Sequence, residues 1–376
     1  MAADKQHCDF LIVGGGMAGC SAGYFLADKG SVIILEREDQ PGYHSTGRSA
    51  AVYATSYGNA TIRAITRAAR SFFLNPPAGF AAAPLLTPRG TIFVGRADQA
   101  GRIEARIEEV DDPDHFVGLD AAEVNRLVPA LQEGYVAAAA HEAAAMDIDV
   151  HALHHGFIRG MRAKGGLLVT DAEVLALRHR GGNWHAETRA GDFSAPVIIN
   201  AAGAWGDALA ELGGVKPVGL VPKRRTALTF QAGDWDVSKW PIIVDIAEEF
   251  YFKPEAGLIL CSPADETPIP PCDVQPDEID VAIAIDRVER ATTLKVAKID
   301  HKWAGLRTFV DDKRPVVGFD QRVAGFFWLV GQGGYGIQTA PGMGRLVGAL
   351  AAGGSVPNEM AEFGVDSAAL SPTRLV

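Results

Sequence analysis

The sequence lacks any run of about 18 apolar residues, which argues against a membrane-spanning helix. The longest candidate, Leu346 to Gly354, is short and rich in small residues. It also lacks the Lys/Arg clusters that follow a phosphate backbone, and 46 acidic against 35 basic residues leave a net charge of −11. Nucleic acid is therefore a disfavoured partner. Cysteine is scarce: Cys8, Cys20, Cys261 and Cys272 form no C-x-x-C and no pairing pattern, as expected in a reducing cytoplasm. The start, Met1 to Asp9, is polar and has neither the basic nor the apolar region of a signal peptide. A cytoplasmic protein is expected, with attachment to the periphery of membrane electron transport left open. Internal repeats and low-complexity tracts are absent.

At 376 residues and 48% hydrophobic content, the chain has room for two domains. Its 42 glycines suit a fold that brings backbone close to a large ligand. The strongest signal is Asp9 to Gly19. Phe10–Val13 is an apolar run of buried-strand length, followed by Gly14, Gly16 and Gly19 in G-x-G-x-x-G spacing. These glycines allow a tight turn, close approach of a pyrophosphate and tight packing of helix on strand. The helix start points N–H groups and a positive dipole end at phosphates. A second strand, Val32 to Leu35, ends in Glu36, 36 − 14 = 22 positions after the first glycine, where an acid accepts hydrogen bonds from a ribose 2′-OH. Strand, glycines, helix and acid together indicate dinucleotide binding. A carboxylate there repels the 2′-phosphate of NADP. FAD and NAD remain, and the motif alone does not separate them, although its place at the start of the chain inclines towards FAD.

Further along, residues 38–58 form a polar loop. Helices are expected at Thr61–Phe73, Ala121–Leu131, Val150–Lys164 with Asp149 as N-cap, Ile279–Leu294 and Met343–Ala352. Strands are expected at Leu85–Val94, Leu168–Leu177, Val197–Asn200, Ala227–Phe230, Ile242–Val244, Phe250–Phe252, Leu258–Leu260 and Gly325–Val330, with a hairpin through Trp184–Thr188 and Phe193. His151, His154 and His155 share one helix at metal-ligand spacing, but no Cys or carboxylate set accompanies them. A surface or packing role is expected, and no metal.

Four segments then carry a resemblance. The N-terminal fingerprint, Gly42-Tyr-His-Ser-Thr-Gly-Arg-Ser-Ala-Ala51, Asn200-Ala-Ala-Gly-Ala-Trp205 and Gly331-Gln-Gly-Gly-Tyr-Gly-Ile-Gln-Thr339 are similar in order to the FAD-dependent amino-acid oxidases and dehydrogenases that include glycine and sarcosine oxidases. Asn75–Phe80, Pro222–Arg225, Trp303–Arg307 and Leu370-Ser-Pro extend the likeness, and within the family it looks nearest to the bacterial D-arginine dehydrogenases. The resemblance implies an α/β fold: a Rossmann-like FAD-binding domain of the glutathione-reductase type (1–82, 146–212 and 300–376) and a discontinuous α+β substrate domain on a mostly antiparallel sheet (83–145 and 213–299). It favours FAD over NAD, held without a covalent bond, because no cysteine lies in the C-terminal flavin motif.

Residue by residue, the resemblance implies FAD contacts from Gly14, Gly16, Met17, Ala18, Gly19, Glu36 and Arg37. Others come from Ser45, Thr46, Arg48, Ser49, Ala50 and Ala51, from Val174 at the adenine, and from Ala202, Gly203 and Trp205. Gly333, Tyr335, Gly336, Ile337, Gln338, Thr339 and Arg307 complete the set, with N–H groups before the last helix favouring negative charge on the reduced flavin. Arg225 and Arg307 match arginines that bind an α-carboxylate bidentately, Tyr57 and Tyr251 match substrate-contacting tyrosines, and the Gly334 carbonyl matches the acceptor for the α-amine.

The departures bear on specificity. The carboxylate that meets a guanidinium side chain is replaced by Thr91, and a histidine and a threonine are replaced by Val52 and Ala54; Ile242 and Val244 complete the expected pocket. A buried guanidinium without a carboxylate costs several kcal/mol. The expected reaction is therefore oxidative deamination of D-amino acids with uncharged, mostly apolar side chains, by hydride transfer from the α-carbon to flavin N5, giving 2-oxo acid and ammonia. The partner is a small amino acid, with the electron acceptor open. Alternatives are oxidation of secondary amino acids such as sarcosine or proline analogues, D-arginine dehydrogenation proper, and a flavin-holding binding or tRNA-modification module.

Overall fold

A computed structural model describes residues 6–375. The polar opening read above for residues 1–5, and Val376, lie outside the described residues. Phe10–Val13, all four residues buried, is a central strand of a six-stranded sheet in the order 167–169, 32–35, 10–13, 197–200, 326–330, 316–319. All pairings are parallel except that of 316–319 with 326–330. Strands buried on both faces read as continuous apolar runs, and Val32–Leu35, Val197–Asn200 and Phe326–Val330 do so. Helix Met17–Leu26 packs between helices Val150–Ala163 and Ala340–Leu350 on one face. A smaller sheet of strands 6–7, 191–195, 183–188 and 174–180 contributes the buried Trp184 and Phe193 to the core on the other.

The second large sheet has eight strands in the order 299–309, 221–230, 258–262, 251–255, 242–245, 91–95, 138–142, 117–119. Its pairings are antiparallel except for 242–245 with 91–95. One face carries Leu228, Phe230, Phe252 and Ile259 onto helix Glu278–Ala291. Strand alternation sends Arg225, Tyr251 and Arg307 to the other face. Ile299–Phe309 pairs along Val221–Phe230, so the segment that the sequence division gives to the cofactor side from residue 300 begins in this sheet.

Asp149 caps helix Val150–Ala163 by accepting from the Ala152 N–H, and Trp184–Thr188 pairs with Gly191–Ala195 as a hairpin. Several elements depart from expectation, and the helix expected to run to Leu294 ends at Ala291. The helix at Ala121 ends at Leu127, since Val128 precedes Pro129 and is driven out of the helical region. The run Leu85–Val94 is two strands, Leu86–Pro88 and Thr91–Gly95, broken at Arg89-Gly90. Leu168–Leu177 likewise divides into 167–169 and 174–180 around Asp171 in the left-handed region. Among the described residues no helix is long and apolar enough to cross a membrane.

Candidate active site

A cavity of about 390 Å³ lies between the two large sheets. It opens at the carboxyl ends of the parallel strands, where Val13, Leu35, Ala201 and Val330 reach its wall, the position that open α/β sheets use for ligands. Gly14, Gly16, Met17, Ala18, Glu36, Arg37, Val174, Ala202, Gly203 and Trp205 line this side. Gly14 has φ +114°, and a Cβ there would lie 2.3 Å from the Ala201 carbonyl oxygen, so only glycine fits this turn against the end of the neighbouring strand. Gly19 does not line the cavity; its missing Cβ would meet the Gly14 carbonyl at 1.9 Å, which makes it a packing glycine of the same turn.

Glu36 does more than face the cavity. One carboxylate oxygen accepts the Gly15 N–H at 2.8 Å and the other the Glu38 N–H at 3.0 Å. Gly15 is also held at its carbonyl, by the Nε2–H of His154 at 2.9 Å. Burial, partly opposed by this bond, pushes the His154 imidazole down to about 4, so it is neutral at pH 7. In the sequence His154 is marked only by its spacing to His151 and His155. Among the described residues no group of three His, Cys, Asp or Glu suits a metal ion.

The loop from Gly42 is the seam between the sheets, and Ser45, Thr46, Arg48, Ser49 and Ala50 line the cavity. The Thr46 hydroxyl accepts the Met17 N–H at 2.9 Å at the start of the first helix. Ser45 donates to the Leu306 carbonyl at 2.7 Å; Arg48 donates to the carbonyls of Val274 and Ala304 at 3.0 and 3.1 Å and pairs with Asp273. At the rim the Arg37 guanidinium stacks 4.5 Å from the Trp205 ring, and His44 packs on the same ring at 4.7 Å. The cradle fits a dinucleotide: glycine backbone at Gly14 and Gly16 on the cavity wall, a helix start, a carboxylate at the end of the second strand, and a buried Gln332 side-chain N–H2 that has no partner among the described residues.

On the opposite wall stand Arg225, Tyr251, Arg307, Gly333 and Gly334. Arg225 and Arg307 come from paired neighbouring strands, with Arg225 opposite Gly305 and Lys223 opposite Arg307. Arg225 donates to the Asp265 carbonyl at 2.9 Å and to Glu266 at 3.3 Å. Its burial, and then the nearby Arg307 charge, pull its pKa below the usual guanidinium range. Arg307 donates to the Tyr57 hydroxyl at 3.3 Å and, among the described residues, makes no ion pair. Burial also works against the Arg307 charge, but Tyr57 and Tyr251 outweigh it and the net shift is upward. Two neighbouring cations short of counter-charge make a receptor for a small carboxylate. A Cβ on Gly334 would lie 2.8 Å from an Arg307 nitrogen, so the chain passes there without a side chain.

Glu266 escaped sequence reading, having no motif around it. Its carboxylate bridges Arg225 to Lys223 at 2.8 Å with Lys313 at 3.7 Å. Burial raises its pKa, but the Lys223 hydrogen bond and the neighbouring cations outweigh this, and the net shift is downward.

Gly336 and Ile337 reach the cavity, while Ala51, Tyr335, Gln338 and Thr339 stand behind its wall. Tyr335 packs 4.9 Å from Tyr57, and Gln338 meets the Ala54 N–H at 3.3 Å and Thr66 at 3.0 Å. Tyr57 also stands behind the wall, reaching it through Arg307. The expected pocket residues Val52, Ala54, Thr91, Ile242 and Val244 do not line the cavity either. Val52 pairs with Asp147, and Val244 packs with Phe93 and Phe116. Thr91 is 4% exposed between Glu142 and Ile242, its hydroxyl without a partner among the described residues. Cys8, Cys20 and Cys261 are buried, and none of the four cysteines lines the cavity.

Residues 9–350 match the family described as DAO, FAD dependent oxidoreductase. Rat mitochondrial dimethylglycine dehydrogenase is 23% identical over 96% of this chain, and mouse FAD-dependent oxidoreductase domain-containing protein 1 is 28% identical over 40% of it. The chain spans 44% and 34% of those relatives' lengths. Glycine oxidase from Geobacillus kaustophilus has the same fold, with a TM-score of 0.81 at 20% identity over 94% of this chain and 99% of that one.

Proposed function

Because the chain belongs to the DAO family of FAD-dependent oxidoreductases, we propose that it oxidises the Cα–N bond of free D-amino acids whose side chains are uncharged. The observation that carries this reading is the Arg225–Arg307 pair facing the dinucleotide cradle across one cavity, with Arg307 lacking a carboxylate partner among the described residues. Gly14, Gly16, Glu36 and the Gly42–Ala50 loop would hold FAD non-covalently, and bound FAD would supply the two-electron acceptor for the hydride of the α-carbon.

The protein's own part is orientation and electrostatics. Arg225 and Arg307 bind the α-carboxylate and fix the direction of the α-carbon. The Gly334 carbonyl accepts from the amine, with the nitrogen neutral when the α-hydrogen leaves. Tyr57 holds Arg307 in place and Tyr251 closes the same wall. Loss of a hydride from carbon and a proton from nitrogen leaves an imino acid, which water hydrolyses to 2-oxo acid and ammonia.

The preference for uncharged side chains is supported by the cavity wall. Its acidic residues are Glu36 and Glu173, both on the nucleotide side. The carboxylates beside the clamp are already engaged: Glu266 is shared by Arg225, Lys223 and Lys313, and Asp265 accepts from Thr226 and pairs with Arg224. The D configuration rests on the sequence resemblance alone. A second reading, oxidation of N-alkylated amino acids, is supported by the match to dimethylglycine dehydrogenase along 96% of this chain. An anaerobic bleaching screen of FAD-loaded protein against D-, L- and N-methyl amino acids tests both readings. Uncharged D-amino acids should bleach the flavin fastest. Faster bleaching by N-methyl or cyclic substrates supports the second reading, and no bleaching by any of them ends both.

A further inference from the structure

Strand Ala138–Glu142 ends in a carboxylate that belongs to no motif. Glu142 is 1% exposed. One of its oxygens accepts the Thr55 N–H at 2.7 Å and the Thr55 hydroxyl at 2.8 Å; the other accepts the Ser56 N–H at 3.0 Å. These donors immediately precede Tyr57. The carbonyls of the same turn are held from elsewhere. Arg106 donates to the Ser56 carbonyl and, at 3.3 Å, to that of Gly58, which also accepts from Arg63 at 2.9 Å. Glu109 ties the two arginines together, at 2.7 Å from Arg63 and 2.6 Å from Arg106. An anion therefore grips the N–H groups of one short turn and two cations grip its carbonyls. From this turn Tyr57 reaches Arg307 at 3.3 Å and packs against Tyr335.

We propose that Glu142 is a positioning residue for the carboxylate clamp: it locks the Thr55–Gly58 turn so that the Tyr57 hydroxyl stays against Arg307. The inference rests on the reading of Arg307 as part of that clamp. Burying a carboxylate is costly unless its lone pairs are used, and three donors from two consecutive residues use them. The register supports the same role, since Glu142 lies directly opposite Thr91, a small uncharged neighbour that neither pairs with it nor repels it. A glutamine there offers one acceptor oxygen in place of two and turns an N–H2 towards N–H donors. Glu142→Gln therefore loosens the turn without adding bulk.

Two measurements on the FAD-loaded protein test this. Hydrogen exchange of the segment spanning Thr55–Gly58, without substrate, reads the anchor itself. Glu142→Gln should speed it by roughly tenfold or more, as expected when a local opening loses charge-assisted bonds. The second is a kinetic cycle with Tyr57→Phe, using the amino acid that bleaches wild type fastest. Glu142→Gln alone should raise KM roughly tenfold with a smaller change in kcat, and in the Tyr57→Phe background should add little. Thr55→Val, which removes only the hydroxyl donor, should show the same pattern more weakly and serves if Glu142→Gln does not fold. Unchanged exchange, or independent multiplication of the Glu142 and Tyr57 effects, overturns the proposal. Failure of every amino acid to bleach wild type would instead overturn the reading of the clamp, and the exchange result would still decide the anchor.

Discussion

Arg307 donates to the Tyr57 hydroxyl at 3.3 Å and, among the described residues, has no acidic partner. Arg225 beside it is already bonded to the Asp265 carbonyl and Glu266. The two arginines are thus unequal. Arg307 is the one with unused charge, and an incoming carboxylate gains most from it.

Arg307→Met should therefore cost more than Arg225→Met. Charge-assisted hydrogen bonds contribute about 1.5–3 kcal/mol, so a loss of roughly ten- to hundred-fold in kcat/KM is expected, carried mainly by KM, with flavin content retained. Steady-state kinetics on flavin-normalised protein check this. Wild-type kinetics in either variant would remove that arginine from the site.

Glu36 holds the glycine turn at Gly15 and faces the cavity. Glu36→Arg removes both hydrogen bonds it accepts and puts a cation where the ribose is expected, so the protein should purify largely free of flavin. Acid precipitation of wild type should release all the yellow colour. Colour remaining in the washed pellet contradicts non-covalent binding.

His154 gives the folded protein a pH signature. Its folded pKa, about 4, lies below the ordinary 6.5 of an unfolded histidine. The unfolded chain therefore binds the extra proton more readily between those values. The stability contribution is complete above pH 6.5 and is lost as pH falls towards 4, by up to about 3 kcal/mol. Flavin release on acidification should follow that window. His154→Gln, which keeps an N–H donor for Gly15 but does not titrate, should flatten the response between pH 6.5 and 4. An unchanged acid profile would move the effect to another group.

Thr91 separates what was legible in the sequence from what was not. The cofactor side was legible, because a dinucleotide imposes glycines and an acid at fixed spacing within one contiguous stretch of chain. Most residues named from Gly14 to Trp205 do meet at one cavity. The substrate side comes from separate strands, and sequence likeness carries position along a strand without the distance to the ligand. Thr91 is thus buried opposite Glu142, behind the cavity wall. Glu142, His154 and Glu266 were illegible because each acts on backbone or a charge far away in sequence, with no local pattern to mark it.

The same geometry changes what a substitution at Thr91 is expected to do. Thr91→Glu sets a second buried carboxylate directly across from Glu142, and like charges at such a pair destabilise. Its Tm should fall without a gain in D-arginine turnover. Thr91→Val removes a buried hydroxyl that has no partner, so its Tm should hold or rise. Thermal melts followed by flavin fluorescence distinguish these outcomes. A functional Thr91→Glu enzyme that gains D-arginine activity would place Thr91 at the substrate after all.

The most direct test of the central claim is the anaerobic bleaching rate of FAD-loaded protein with D-leucine, measured beside L-leucine and D-arginine at equal concentration. D-leucine should reduce the flavin faster than either. Equal or faster reduction by D-arginine would contradict the uncharged-substrate reading, and faster reduction by L-leucine would contradict the D assignment.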